Sequence, residues 1–326
     1  MTDQPILQVE NLTIDYVVLD GIIKAVRNVS FTINEGEVVC LVGESGSGKT
    51  TVGLAISRAL PENAIIREGR IIFKGRDLLN LEIRDKSTIE DEVMMIFQDP
   101  AATLNPLFKV GEIFSDVIKH HLKLSDQLKI REKALEFLKA VELPDPERIF
   151  NSYLHELSGG MLQRVIIAIT LSVNPKLLIA DEPTTMLDVT LQAQILDLLI
   201  NLKKKFGLSI LFITHNLSIA AEIGDRIIVM YGGEIVEEAS SEELLKNPLH
   251  PYTKGLLECI PKTHIKYSKL KSIPGMIFDL RNPPLGCVFV DRCIEATDLC
   301  RKDKPRLIEF LKNHKVACHL YRGSTK

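Results

Sequence analysis

The sequence predicts an α/β protein: a parallel central sheet with a helical insertion, an antiparallel β subdomain at the N-terminal end and a small irregular C-terminal region. Three observations carry this expectation. Residues 177–180, 208–213 and 227–231 are apolar runs without alternation, the pattern of parallel strands covered on both faces, and helix-length segments separate them. The stretch 37–60, "EVVCLVGESGSGKTTVGLAISRAL", passes from an apolar strand through a Gly-rich turn into a helical pattern. Residues 6–33 alternate as half-buried strands do, with a turn at Asp20 and Gly21.

Between the first and second apolar strands, residues 102–170 read as mostly helical, with 132–141 an amphipathic example. After Glu243 the texture changes, and "NPLHPY", "IPGM" and "RNPPLG" concentrate proline and glycine. A boundary near 245 is therefore expected, with a larger domain at 1–245 and a C-terminal extension at 246–326. The length of 326 residues agrees, being more than one core usually takes.

Composition narrows the function. With 40 Lys and Arg against 43 Asp and Glu, the net charge of -3 offers no surplus of cations for a polyanion, so nucleic acid is not expected as a partner. No apolar stretch approaches the roughly eighteen residues that a spanning helix needs. The first residues, "MTDQPILQVENL", show no basic flank followed by an apolar block, so the chain is expected in the cytosol, where disulfides are rare.

The residues 43–50, "GESGSGKT", match G-x-x-x-x-G-K-[ST] between a strand and a helix. Glycines there let backbone N–H groups turn inward around phosphate oxygens, and the helix N-terminus adds its positive end. Gly43, Ser45, Gly46, Ser47, Gly48 and Thr51 belong to this cradle. Lys49 would reach the β and γ phosphates, and the Thr50 hydroxyl would ligate Mg2+. A second apolar strand ends in Asp181 and Glu182. Asp181 would hold Mg2+, and Glu182 would polarise the attacking water.

Between these motifs lies "LSGGMLQR", residues 157–164, which resembles the signature of ATP-binding cassette (ABC) ATPases; Ser158 precedes Lys176 by 18 residues, the placement that makes the match specific. The resemblance implies a P-loop NTPase with a RecA-like core. It implies that Ser158, Gly159, Gly160 and Gln163 belong to a surface that receives the nucleotide of the opposite subunit. Gln98 in "IFQDP" matches the loop that senses Mg2+ and water, and His215 in "FITHN" matches the switch histidine. Asp188 in "TTMLD" matches the loop that crosses the dimer interface, where Met186 replaces a commonly small residue. Tyr16 is the candidate for the aromatic that the resemblance implies against adenine, with packing at the sheet edge as the alternative.

The stretches "FQDPAATLNP" and "VMYGGEIVEEASSEELLKNPLHPYTKGLLECIP" resemble the dipeptide and oligopeptide importer ATPases. That branch implies a heterodimer with a second, homologous ATPase beneath two transmembrane subunits. It also implies an extracellular binding protein and a peripheral place on the cytoplasmic face of the membrane. Relatives that import oligosaccharides or nickel form the alternative. A soluble ABC ATPase acting on DNA or ribosomes is the rival class, and a regulatory cassette without turnover is another.

Four of the six cysteines, Cys287, Cys293, Cys300 and Cys318, are spaced C-x5-C-x6-C-x17-C. The spacing lacks the tight C-x2-4-C pairs of common zinc sites, while iron–sulfur clusters take four thiolates at wider spacings. Zinc, a cluster and free thiols are all open on the residues alone. The resemblance to peptide-importer ATPases implies a [4Fe-4S] cluster. His319 is expected to pack or face solvent, and Cys40 and Cys259 to be core residues.

Overall fold

The computed structural model describes residues 4–80, 89, 91–99, 104–260 and 272–322. The chain forms two compact units. One comprises Met1–Asn34, Val38–Leu79 and Phe212–Lys326, so residues 246–326 share a unit with the N-terminal strands. The other comprises Glu35–Glu37 and Asn80–Leu211.

The first unit begins with β1 (Leu7–Val18), β2 (Gly21–Ile33), β3 (Val38–Val42), β4 (Ala64–Phe73) and β5 (Arg76–Asp77). β1 pairs with β2 antiparallel, Leu7 opposite Ile33, and with β4 antiparallel, Leu7 opposite Phe73. The order β2-β1-β4-β5 makes the expected antiparallel sheet. Its inward residues Leu7, Val9, Leu12, Ile14, Ile71 and Phe73 are buried, with the alternation of β1 reset by the register shift between Val9 and Leu12.

β3 is buried at all five positions, and after it helix Lys49–Ile56 begins. In the second unit lie β6 (Val93–Ile96) and β7 (Leu177–Asp181), paired in parallel with Val93 opposite Leu177. β8 (Ser209–Thr214) carries the division between the units. β9 (Arg226–Tyr231) pairs in parallel with β3, Val39 opposite Arg226. The unalternated runs 177–180 and 227–231 thus lie in strands paired in parallel.

The helical insertion is present as helices Val110–Leu122, Gln127–Ala140, Pro146–Asn151 and Gly159–Leu171. Their starts follow from capping: Asp126 accepts from the Leu128 and Lys129 amides, and Asp145 from that of Arg148.

The C-terminal region is less irregular than its proline and glycine content implies. β10 (Glu234–Ser240) pairs with β9, and β11 (Ile308–Leu311) and β12 (His314–Val316) form a hairpin that adds to β10 through Glu237 opposite Val316. Four- and three-residue strands leave too short a pattern to read, and it is the exposed edge of β10 that orders them. His314 at this edge is fully buried, and its Nε2 lies 2.7 Å from Glu237 Oε1.

Candidate functional site

In the first unit the phosphate loop is shaped by backbone geometry. Gly46 and Gly48 have φ of 82° and 94°, a region that disfavours side chains. A Cβ at Gly43 would lie 2.2 Å from the Met230 carbonyl oxygen, and one at Gly48 2.3 Å from that of Ala25. The loop is therefore a cradle that only glycine fits at these two points, which suits a bound polyphosphate. Buried Lys49 spans it, its Nζ donating to the carbonyls of Gly43 at 2.8 Å and Glu44 at 3.0 Å. Ser47 is buried and its hydroxyl donates to the Glu44 carbonyl at 2.7 Å. Ser45 and Thr50 are exposed, and Thr51 is buried.

Tyr16 is half-buried on β1, its hydroxyl donating to Thr51 Oγ1 at 3.3 Å, so the ring stands beside the helix that follows the loop. His215 is exposed just after β8 and lines a cavity of about 270 Å³ with Ser218, Leu256 and Cys259. Cys259 is only half-buried, which corrects its expected core position; Cys40 is fully buried on β3.

In the second unit Asp181 ends β7 with 1% exposure. A carboxylate this buried costs several kcal/mol unless a cation or donors meet it, which fits a metal ligand. Glu182 has a φ of 47°, uncommon for a residue with a side chain. Its Oε2 accepts from Gln98 Nε2 at 3.3 Å and from the Thr185 hydroxyl at 2.9 Å. The structure thus brings Gln98 and Glu182 together.

Ser158 caps helix Gly159–Leu171, its Oγ accepting from the Met161 amide at 3.4 Å. A Cβ at Gly160 would press on Leu191 at 3.2 Å. Gln163, expected at the nucleotide, is 3% exposed and belongs to the buried residues of this helix. Asp188 caps helix Val189–Phe206 by accepting from the Thr190 and Leu191 amides, and Met186 beside it is 74% exposed.

The C-terminal region adds residues that the sequence reading did not single out. His250 caps helix Pro251–Glu258, with Nδ1 accepting from the Tyr252 amide at 3.1 Å, and Pro251 occupies the first turn. Burial pushes the His250 pKa down to about 4, against the raising influence of Glu237. Glu237 accepts from the amides of Leu249 and His250. Tyr252 is buried, and its hydroxyl accepts from the Glu44 amide of the phosphate loop at 2.9 Å. "HPYTKGLL" thus has a physical role: a cap, a first-turn proline and a prop for the loop. The signal that could have found the cap is the His-Pro pair, since proline favours the first turn of a helix.

The four clustered cysteines neighbour one another. The Cys287 amide donates to the Cys300 carbonyl at 2.8 Å, and burial pushes the Cys287 thiol up to about 12, with the other three thiols adding to the rise. Yet among the described residues no group of three or more His, Cys, Asp or Glu side chains is placed to hold a metal ion. The expected four-thiolate ligand set is therefore not formed in this structure: Cys300 Sγ lies 3.3 Å from the Thr297 hydroxyl instead. His319 Nε2 lies 2.8 Å from the Asp303 carbonyl oxygen.

Residues 26–185 match the family described as "ABC transporter", and residues 236–300 match "Oligopeptide/dipeptide transporter, C-terminal region". The chain is 44% identical over 317 residues to the dipeptide transport ATP-binding protein DppD of Caldanaerobacter subterraneus subsp. tengcongensis, covering 97% of each chain. It is 43% identical to the oligopeptide transport ATP-binding protein OppD of Bacillus subtilis, covering 95% of this chain and 87% of that one. Among solved structures it is similar to the ATP-binding cassette MJ0796, a dimer in a post-hydrolysis state bound to ADP and Pi. That match has a TM-score of 0.64 at 32% identity over 72% of this chain and 98% of the other.

Proposed function

The chain belongs to the ATP-binding cassette transporter ATPases, and from that premise we propose that it is the ATP-hydrolysing subunit of an importer of dipeptides or oligopeptides. The observation that carries this reading is the C-terminal match at 236–300, which joins the cassette to a region named for peptide transport. The named relatives favour peptides over the oligosaccharide and nickel cargoes. They likewise favour transport over action on DNA or ribosomes.

In this reading the amides of 43–48, Lys49, Thr50 and Thr51 receive the phosphates, and Tyr16 meets adenine. Mg2+, held by Thr50, Gln98 and Asp181, would supply charge neutralisation at the phosphates. Ser158, Gly159, Gly160 and Asp188 would serve the nucleotide of a second ATPase subunit, which need not be identical to this one. No described helix is long and apolar enough to cross a membrane, so two permease subunits would supply the passage. Glu182 would orient the attacking water, supported by the hydrogen bonds from Gln98 and Thr185 that fix its carboxylate. Glu182→Gln should cut ATP turnover by about 10²–10⁴ while nucleotide binding persists; unchanged turnover in a phosphate-release assay removes Glu182 from that role.

A [4Fe-4S] cluster on Cys287, Cys293, Cys300 and Cys318 is a separate proposal. Its support is the spacing and the shared neighbourhood of the four thiols, and assembly needs them to converge further than they do here. Iron and acid-labile sulfide in an anaerobic preparation check it, and a preparation containing neither sinks it.

A further inference from the structure

Arg292 lies in the C-terminal region, yet its side chain ends at the phosphate loop. The guanidinium forms a two-pronged ion pair with Glu44, Nη1 to Oε2 at 2.7 Å and Nη2 to Oε1 at 3.0 Å. It also donates to the Tyr231 hydroxyl at 3.1 Å, the Ile273 carbonyl at 3.2 Å and the Pro274 carbonyl at 2.8 Å. All five of its N–H donors are thereby used. Its side chain is 7% exposed, and the cation lies over the rings of Tyr231 and Phe289. A group so fully satisfied has one geometry.

Glu44 is the second residue of a loop whose amides gather a polyanion. A free carboxylate at that place would repel the phosphates, and its backbone would be less constrained. Here Glu44 is held at every polar point. Its amide donates to Tyr252, its carbonyl accepts from Lys49 and Ser47, and its carboxylate is neutralised by Arg292.

We propose that Arg292 is a positioning residue for the phosphate loop, neutralising and orienting Glu44 so that ATP affinity depends on the folded C-terminal region. This rests on the reading that the loop at 43–51 binds ATP. Arg292 itself touches no reacting atom. It acts through Glu44.

The test is calorimetric titration of the full chain with Mg2+ and AMP-PNP, a non-hydrolysed ATP analogue, in a double-mutant cycle. Arg292→Ala should weaken binding about tenfold, because it leaves Glu44 charged and unpaired beside the phosphates. In a Glu44→Ala background the same change should cost less than about threefold, since the charge to be neutralised is gone. Equal losses in both backgrounds would show that Arg292 only ties its own segment through the Ile273 and Pro274 carbonyls, and would overturn the proposal. So would binding by Arg292→Ala within about twofold of the parent. If Arg292→Ala does not fold, Arg292→Lys carries the same comparison: it keeps the charge but loses the fork, and should lose about threefold with Glu44 present and nothing without it. A parent chain that does not bind AMP-PNP overturns the ATPase reading itself, an outcome distinct from parent binding that Arg292 leaves untouched.

Discussion

Between Gly43 and Thr51 the chain is fixed chiefly by close backbone packing, with glycines pressed against the carbonyls of Met230 and Ala25 and a lysine spanning the turn. From Cys287 to Tyr321 the backbone pairing of the β11–β12 hairpin is joined by side chains that reach far along the sequence: Arg292 to Glu44, His314 to Glu237, Tyr321 to the Leu249 carbonyl. The first kind of order is steric and tolerates almost no substitution at its glycines. The second is distributed, so each anchor can be removed and its share measured. The difference teaches that the two regions should fail differently, and three substitutions probe this in order of expected effect.

The largest effect belongs to the loop. Gly48→Ala places a methyl 2.3 Å from the Ala25 oxygen in a residue whose φ of 94° already disfavours it. A loss of more than about 3 kcal/mol is expected, from backbone strain together with a backbone clash that no rotamer relieves. Thermal unfolding and nucleotide titration should both show the damage. A Gly48→Ala chain with parent stability and binding would mean that the loop is soft, and that the contrast with the C-terminal region is false.

The second effect is a pH dependence confined to the C-terminal region. His250 is buried and neutral, its Nδ1 committed as an acceptor to the Tyr252 amide. Its pKa falls from 6.5 in the unfolded chain to about 4 in the fold. A base with a lowered pKa contributes fully above pH 6.5, and that stability is lost as pH falls through 6.5 toward 4, where the unfolded chain gains a proton that the folded one refuses. The loss by pH 4 is about 3 kcal/mol. His250→Asn keeps a capping acceptor without the titration, so its urea midpoint should fall less steeply between pH 7 and pH 4.5 than the parent's. Parallel slopes would place the acid sensitivity elsewhere.

The same contrast explains what was legible in the sequence. The phosphate loop, the strand ending in Asp181 and Glu182, and Ser158 at a helix start are local patterns, and each stands where its spacing implies. The parallel strands were legible because burial on both faces leaves apolar runs. Strands β4, β11 and β12 were not, since β4 breaks its alternation at Glu68, Gly69 and Arg70, and the other two are four and three residues long. Gln163 belongs to the signature and is buried on its helix, a burial that the motif itself does not announce. The partnership of Glu44 with Arg292 spans 248 positions, and nothing in the local pattern around either residue names the other. The cysteine spacing was legible, but spacing alone does not bring sulfurs to ligand distance, and the described residues hold no assembled set.

The smallest effect is the most diagnostic for the joint between the two regions. Tyr252 sits in the helix that His250 starts, packs its ring against Tyr231 and Phe289 at 4.7 and 5.3 Å between centroids, and offers only its hydroxyl oxygen to the loop. Tyr252→Phe keeps the ring packing and removes that oxygen, leaving the Glu44 amide without its acceptor. The expected cost is about 1–2 kcal/mol, the penalty for a part-buried donor left unmade. Because the substitution leaves the ring stack in place, the loss should register more in nucleotide affinity than in the unfolding of the C-terminal region. Hydrogen exchange separates the two cases: the Glu44 amide should exchange faster in Tyr252→Phe, while amides of helix Pro251–Glu258 keep their protection. If the helix loosens and the Glu44 amide does not, the hydroxyl stabilises its own segment rather than the loop, and the C-terminal region props the phosphate site through Arg292 alone.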